Sequence, residues 1–133
     1  MAFLGIRVNQ DVGRLLTGID VPGIKESVSE YHITILCFED NWPITQVAKA
    51  MEAAYEVVSE FKPFLVKVDQ VTSFPKREGY PRPIIGKVTS DELHKLCDKL
   101  RDKFDDENID YKKTFKDFKP HITLAYHDSE DEF

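Results

Sequence analysis

The sequence predicts an α+β fold of two similar lobes, each an antiparallel sheet with a helix, arranged around a central cleft. Three observations lead there. Two segments repeat apolar residues at the spacing of three and four that buries one side of a helix. Short runs rich in β-branched and aromatic residues lie around them, bounded by Gly, Pro and Asp. One such run in each half carries the same tripeptide, His-Ile-Thr, at residues 32–34 and again at 121–123. The halves are not identical repeats, yet each supplies one amphipathic helix and one such strand.

Taken in order, residues 2–8 alternate Phe3, Gly5 and Arg7 against Leu4, Ile6 and Val8, which is the period of a strand. Residues 9–24 mix Gly, Asp and Pro with a short apolar pattern and predict a loop with one helical turn. Residues 31–38 are dense in β-branched and aromatic side chains and stop at Glu39-Asp40-Asn41, which predicts a central strand. From Pro43 to Phe61 the stripe Ile44, Val47, Met51, Ala54, Tyr55 and Val58 predicts the first long helix, with Pro43 acceptable only in its first turn. Strands are expected at 64–71 and 84–88, linked by a Pro- and Gly-bearing loop over 73–83. Thr89 and Glu92 form a capping box for a second helix, whose apolar stripe is Leu93, Leu96, Cys97, Leu100 and Phe104. A strand over 121–126 closes the fold. The expected organisation is one domain over 1–127 and an acidic, disordered tail over 128–133.

With 133 residues the chain suits one core, since single domains usually hold about 50–250. No apolar run approaches the roughly 18 residues of a membrane span, so no membrane partner is expected. The opening residues read as a strand and lack the basic leader and long apolar stretch of a signal peptide, which predicts a cytoplasmic protein. Cys37 and Cys97 lie on apolar stripes and read as small buried hydrophobes rather than a disulfide framework. A net charge of −6 argues against binding long duplex nucleic acid, which needs many phosphates neutralised. The charge is uneven, however. Residues 62–89 hold Lys62, Lys67, Lys76, Arg77, Arg82 and Lys87 against Asp69 and Glu78, and residues 111–120 hold Lys112, Lys113, Lys116 and Lys119 against Asp117. A small anion can therefore be held locally.

Side chains on a strand alternate faces, so His32 and Thr34 project to one side while Ile33 and Ile35 project to the other. His121 and Thr123 repeat that parity. One His-x-Thr alone is most simply a wet strand face; two on two strands suggest a chemical pair. Cleaving a phosphodiester needs a base for the attacking oxygen and an acid for the leaving oxygen, and imidazole does either near neutrality. The Thr hydroxyls can donate to the non-bridging oxygens, where charge accumulates. A metal site is the competitor, but catalytic zinc usually takes three protein ligands and no third stands at a recognisable spacing. No metal and no cofactor are therefore expected. His94, on the polar side of the second helix, and His127, at a strand end, read as solvated.

Tyr31-His32-Ile33-Thr34-Ile35 and Lys119-Pro120-His121-Ile122-Thr123-Leu124-Ala125 resemble the two signature motifs of the 2H phosphoesterase superfamily, in its bacterial and phage 2′-5′ RNA ligase-like branch. Val71-Thr72-Ser73-Phe74-Pro75, then Pro81-Arg82-Pro83-Ile84-Ile85-Gly86, resemble the same branch in order, so the likeness runs over roughly residues 31–126. It implies a bilobal α+β fold acting on phosphodiester bonds at a ribose 2′ position. Family substrates include RNA 2′,3′-cyclic phosphates, 2′-5′ oligoadenylates and, in phage members acting in the host cytoplasm, cyclic nucleotide signals of host immunity. His32 and His121 carry over as the acid/base pair, Thr34 and Thr123 as phosphate binders. One position departs: the branch often has Arg after Leu-Ala, and here stands Tyr126.

The expected partner is a small nucleotide or RNA end, bound by a monomer. Phe74, Lys76, Arg77, Tyr80 and Arg82 are its candidate contacts, since Arg forks onto phosphate and an aromatic ring stacks on a base. The lysines around Phe115 and Phe118 can raise the cleft potential. Tyr126 joins these candidates by its place at the end of the second motif, although strand parity alone turns it from the cleft. The alternatives are a nucleotide-binding module without turnover and an RNA end-joining enzyme that runs the same site in reverse. Intact His and Thr at all four positions speak against the first.

Overall fold

The structure is a computed structural model that describes residues 3–27, 30–38, 42–112 and 117–127. Its elements are β1 (Phe3–Arg7), α1 (Gln10–Thr17), β2 (Ile24–Lys25), β3 (His32–Cys37), α2 (Ile44–Val58), β4 (Lys67–Ser73), β5 (Arg82–Thr89), α3 (Asp91–Asp106) and β6 (His121–His127). Hydrogen bonding orders the strands β1-β3-β6-β5-β4, with β2 also on β6. The pairs of β6 with β2, β3 and β5, and of β4 with β5, are all antiparallel. The α+β class is as the sequence predicts. The tail over 128–133 and the basic stretch with Lys113, Phe115 and Lys116 lie outside the described residues.

The chain divides into two compact units. One comprises Met1–Leu4, Ile35–Val66 and Ser90–Phe118. Its centre is the contact of α2 with α3, where Ala50, Ala53, Ala54 and Val57 meet a face built from Leu93, Leu96, Cys97, Leu100 and Phe104. Phe38 stacks on Trp42 at 4.3 Å and on Phe104 at 5.9 Å. Both long helices, α2 and α3, belong to this unit and bury their faces together. The expected stripe of α2 is corrected here. Ile44, Met51 and Tyr55 are 84%, 67% and 74% exposed, while the alanines are buried. Small residues let two helix backbones approach closely, and that close packing outweighs the burial of the larger side chains.

Helix α3 starts one residue later than the expected capping box. Ser90 is the cap and its Oγ accepts from the Leu93 N–H at 3.1 Å. Thr89 remains in β5 and donates to Asp69 Oδ2 at 2.7 Å. Cys97 is fully buried and Cys37 half-buried, both as free thiols, and burial pushes the Cys97 thiol up from its ordinary pKa.

The other unit comprises Gly5–Thr34, Lys67–Thr89 and Lys119–Phe133 and contains both His-x-Thr dyads. Its interior gathers Val21, Ile84 and Ala125, with Ile19 and Val71 packed against them. Residues 10–17, expected as a loop with one turn, form the eight-residue α1. Asn9 caps it by accepting from the Asp11 N–H at 2.8 Å, and Leu16 and Gly13 face inward. Eight residues span barely two turns, too few for the apolar period to show in the sequence. Two strands share one edge of β6: β3 pairs at Ile33–Ile122, and β2 pairs at Ile24–Tyr126. Gly23 makes that second pairing possible. Its φ is +96°, and a Cβ there would lie 2.3 Å from the Tyr126 carbonyl oxygen.

Candidate active site

The dyads owe their arrangement to one register. Ile33 lies opposite Ile122, and in an antiparallel pair each step up one strand is a step down the other. His32 therefore faces Thr123 across the strands, and Thr34 faces His121. Directly opposed side chains stand on one face with Cβ atoms about 4.5–5.5 Å apart, and diagonal neighbours about 7–8 Å apart. The histidines occupy one diagonal of a small rectangle and the threonines the other. Ile33 and Ile122 are 2% exposed and turn to the opposite face, whereas all four dyad residues are half-buried.

Both imidazoles are held by the same local device. His32 Nδ1–H donates to the Glu30 carbonyl at 2.7 Å, and His121 Nδ1–H donates to the Lys119 carbonyl at 2.8 Å. A carbonyl only accepts, so in each neutral ring the proton sits on Nδ1 and the lone pair on Nε2. The strand thus fixes tautomer and ring orientation with its own backbone, two residues upstream of each histidine. Burial lowers the pKa of His121; the Lys119 carbonyl opposes this, and the charge His32 can carry lowers it further. His121 is therefore largely unprotonated at neutrality.

Phe74, the first residue beyond β4, sets its ring edge-on to the His121 ring, with centroids 4.6 Å apart. Its N–H donates to the Pro83 carbonyl at 3.2 Å, and its own carbonyl accepts from Arg82 Nη1 at 3.4 Å. Arg82 is only 5% exposed, so its guanidinium supports the chain beneath Phe74 and is not presented to solvent. Farther along the loop, Lys76 Nζ donates to the Tyr80 carbonyl at 3.1 Å, and the Arg77 guanidinium lies 5.6 Å over the Tyr80 ring. Tyr80 is 64% exposed. Of the expected binders, then, Phe74 is brought to the dyads, Arg82 stands behind it, and Lys76, Arg77 and Tyr80 form a cluster of their own at the loop tip. His94 rests edge-on against Phe118 at 5.2 Å. Among the described residues no three His, Cys, Asp or Glu side chains converge to hold a metal ion.

Strand parity misplaces Tyr126, because β6 carries a bulge. Ile85 pairs with Thr123, but Ile84 pairs with Ala125, leaving Leu124 as an extra residue. The bulge shifts the alternation by one. Tyr126 consequently returns to the face of Thr123, next to it along that face of the strand. Burial raises the phenol pKa and the nearby Glu26 carboxylate raises it further, while the Thr123 hydroxyl opposes both.

Lys87 joins the candidate site, although the sequence does not single it out. It lies directly opposite His121 across the β5–β6 pair, exposed and on the same face. In the sequence it is one cation among six in a basic stretch, and only the strand register singles it out.

Comparison with known proteins now bears on this arrangement. TT0787 of Thermus thermophilus, known from its crystal structure, matches with a TM-score of 0.75 at 21% identity, over 96% of this chain and 74% of its own. At that identity the likeness establishes a shared fold. No curated protein sequence matches the chain. The sequence model of the 2′-5′ RNA ligase superfamily matches residues 27–133, a stretch that includes both dyads and all the strands and helices from β3 onward. The chain therefore belongs to the 2′-5′ RNA ligase superfamily of 2H phosphoesterases.

Proposed function

We propose that this protein is a metal-independent phosphodiesterase acting at ribose 2′ positions of small nucleotides or RNA ends. Its substrates by this reading are 2′,3′-cyclic phosphates, 2′-5′ linkages or cyclic oligonucleotide immune signals, handled by a monomer in the cytoplasm. The observation that carries the reading is the diagonal pair of histidines, each presenting Nε2 because its Nδ1–H is tied to a backbone carbonyl. A phosphate seated in the rectangle has an imidazole on either side, which suits in-line displacement.

His121, largely unprotonated, is the base: its Nε2 takes a proton from water as the water oxygen bonds to phosphorus. His32 is the acid: its Nε2–H gives a proton to the ribose oxygen as the P–O bond breaks. Thr34 and Thr123 donate to the non-bridging oxygens, where charge grows in the transition state. Phe74 packs against His121 and limits its motion. Run in reverse, the same groups would join RNA ends.

A panel of 2′,3′-cyclic nucleotides, 2′-5′ oligoadenylates and cyclic dinucleotides, incubated with protein in EDTA and read by mass spectrometry, tests this. Hydrolysis should persist under chelation, and His32→Ala or His121→Ala should each lower the rate by at least about 10²-fold. Activity lost in EDTA and restored by zinc or manganese would refute the two-histidine mechanism. Binding without turnover would point to a sensing module, and joined products to a ligase.

A further inference from the structure

The structure assigns Tyr126 a role the motif does not: we infer that it is a positioning residue that orients the Thr123 hydroxyl, making the two threonines of the site unequal. The inference rests on the phosphodiesterase reading above. It starts from the β6 bulge, since without the extra residue Leu124 the Tyr126 side chain would lie on the opposite face from the dyads. The bulged strand is held in place. Gly23 packs its Cα against the Tyr126 backbone, Ile24 pairs with Tyr126, and the Glu26 N–H donates to the Leu124 carbonyl at 2.9 Å.

A threonine hydroxyl has one proton, and a phosphoryl oxygen can only accept. When substrate is bound, the Thr123 proton must therefore point to the phosphate. The oxygen of Thr123 is then left to accept, and the bulge brings the Tyr126 phenol to its face of the strand as the donor. The chain of donors runs from Tyr126 O–H to Thr123 Oγ–H to the phosphoryl oxygen. Each link polarises the next, so the last bond is stronger than that of an isolated hydroxyl. Burial of the phenol, and after it the charge of Glu26, disfavour its ionised form and keep it a donor. The first dyad has Cys37 three residues after Thr34, where the second has Tyr126, so no phenol is available to Thr34 from its own strand in this way.

The test is a double-mutant cycle with turnover, affinity and melting temperature measured on each protein. Tyr126→Phe should lower kcat by about three- to tenfold, the worth of one hydrogen bond, with KM nearly unchanged. The same change should have no effect in a Thr123→Val background and its full effect in a Thr34→Val background. A second arm needs no turnover. Affinity for a nucleoside–vanadate complex, which mimics the five-coordinate phosphorus, should weaken by a similar factor in Tyr126→Phe, while affinity for a nucleoside 2′-phosphate stays constant. Wild-type behaviour of Tyr126→Phe in both arms, an equal loss in the Thr123→Val background, or an effect confined to KM would each overturn the inference. Absence of turnover by the wild type on the whole panel would refute the hydrolytic reading instead, and the vanadate arm would still decide the role of Tyr126. If the wild type binds neither compound, both fall.

Discussion

Gly23→Ala should damage this protein in a way that Gly79→Ala should not, and the difference can be worked from the structure. Both glycines have positive φ, +96° and +80°. For a residue with a Cβ such a backbone costs about 1–2 kcal/mol. A Cβ on Gly79 would meet nothing within 4 Å, so strain is the whole effect there. On Gly23 it would also lie 2.3 Å from the Tyr126 oxygen and 2.8 Å from the Tyr126 carbonyl carbon. Those are backbone atoms of β6, so no rotamer change can relieve the contact, and overpacking of this kind adds about 1–3 kcal/mol. The sum is roughly 2–5 kcal/mol, against a total stability of about 5–15 kcal/mol for a typical domain. For a chain of 133 residues this corresponds to a loss of roughly 8–20 °C in melting temperature, and about 3–8 °C for Gly79→Ala. Thermal unfolding followed by circular dichroism measures both. Because β2 can be pushed from β6 only by disturbing the backbone of Tyr126, Gly23→Ala should also lower kcat, measured well below its melting temperature. Equal melting temperatures for the two variants would show that the close approach of Gly23 to Tyr126 is wrong, and the placement of Tyr126 beside Thr123 would fall with it.

Other changes test the site and its frame. Thr34→Val and Thr123→Val keep the shape of the strand and should lower kcat by up to about 10²–10³ while leaving KM nearly constant; a loss of melting temperature with kcat unchanged would make these hydroxyls structural. In His32→Ala the His121 pKa, followed by NMR titration, should rise from its lowered value yet stay below its ordinary one, because burial is the larger cause and remains. The sign for stability follows: His121 contributes stability that is full above its ordinary pKa near 6.5 and lost as pH falls towards the lowered folded value, so His32→Ala should lessen that acid sensitivity. No change in the His121 titration would mean the two rings do not sense each other. Ser90→Ala removes the buried cap of α3 and should cost about 1 kcal/mol, read from denaturant unfolding, whereas Thr89→Ala should not disturb the helix start.

The parts of this molecule that were legible in the sequence are those that depend on neighbours in the chain. His32 and Thr34 share a face because strands alternate, and the stripe of α3 is the one that is buried. What could not be read depends on which surfaces meet. The buried face of α2 differs from the stripe its larger apolar residues mark, because its packing is decided by Ala50, Ala53 and Ala54, of which only Ala54 lies on that stripe. The crossed arrangement of the dyads needs the β3–β6 register, and Lys87 needs the β5–β6 register. Neither register has a marker in the residues themselves. The carbonyls that hold the two imidazoles are invisible to a reading of side chains altogether.

Tyr126 owes its place to the burial pattern of its own strand. Along β6 the burial runs half-buried, buried, half-buried, buried, buried, exposed, so the alternation fails at Leu124-Ala125. Two consecutive apolar residues in an otherwise alternating strand mean either a strand end or a slip of phase. Here Ile84, on β5, decides between them. It is fully buried beside Ala125 and Val21, while Ile85, the next residue, is buried opposite Thr123. For Leu124 and Ala125 both to be buried while the strand continues to His127, one of them must be the extra residue, and the bulge follows. The place of the phenol beside Thr123 is thus a consequence of core packing on the far side of the sheet, and a change that restores strict alternation there should move Tyr126 out of the site without touching a dyad.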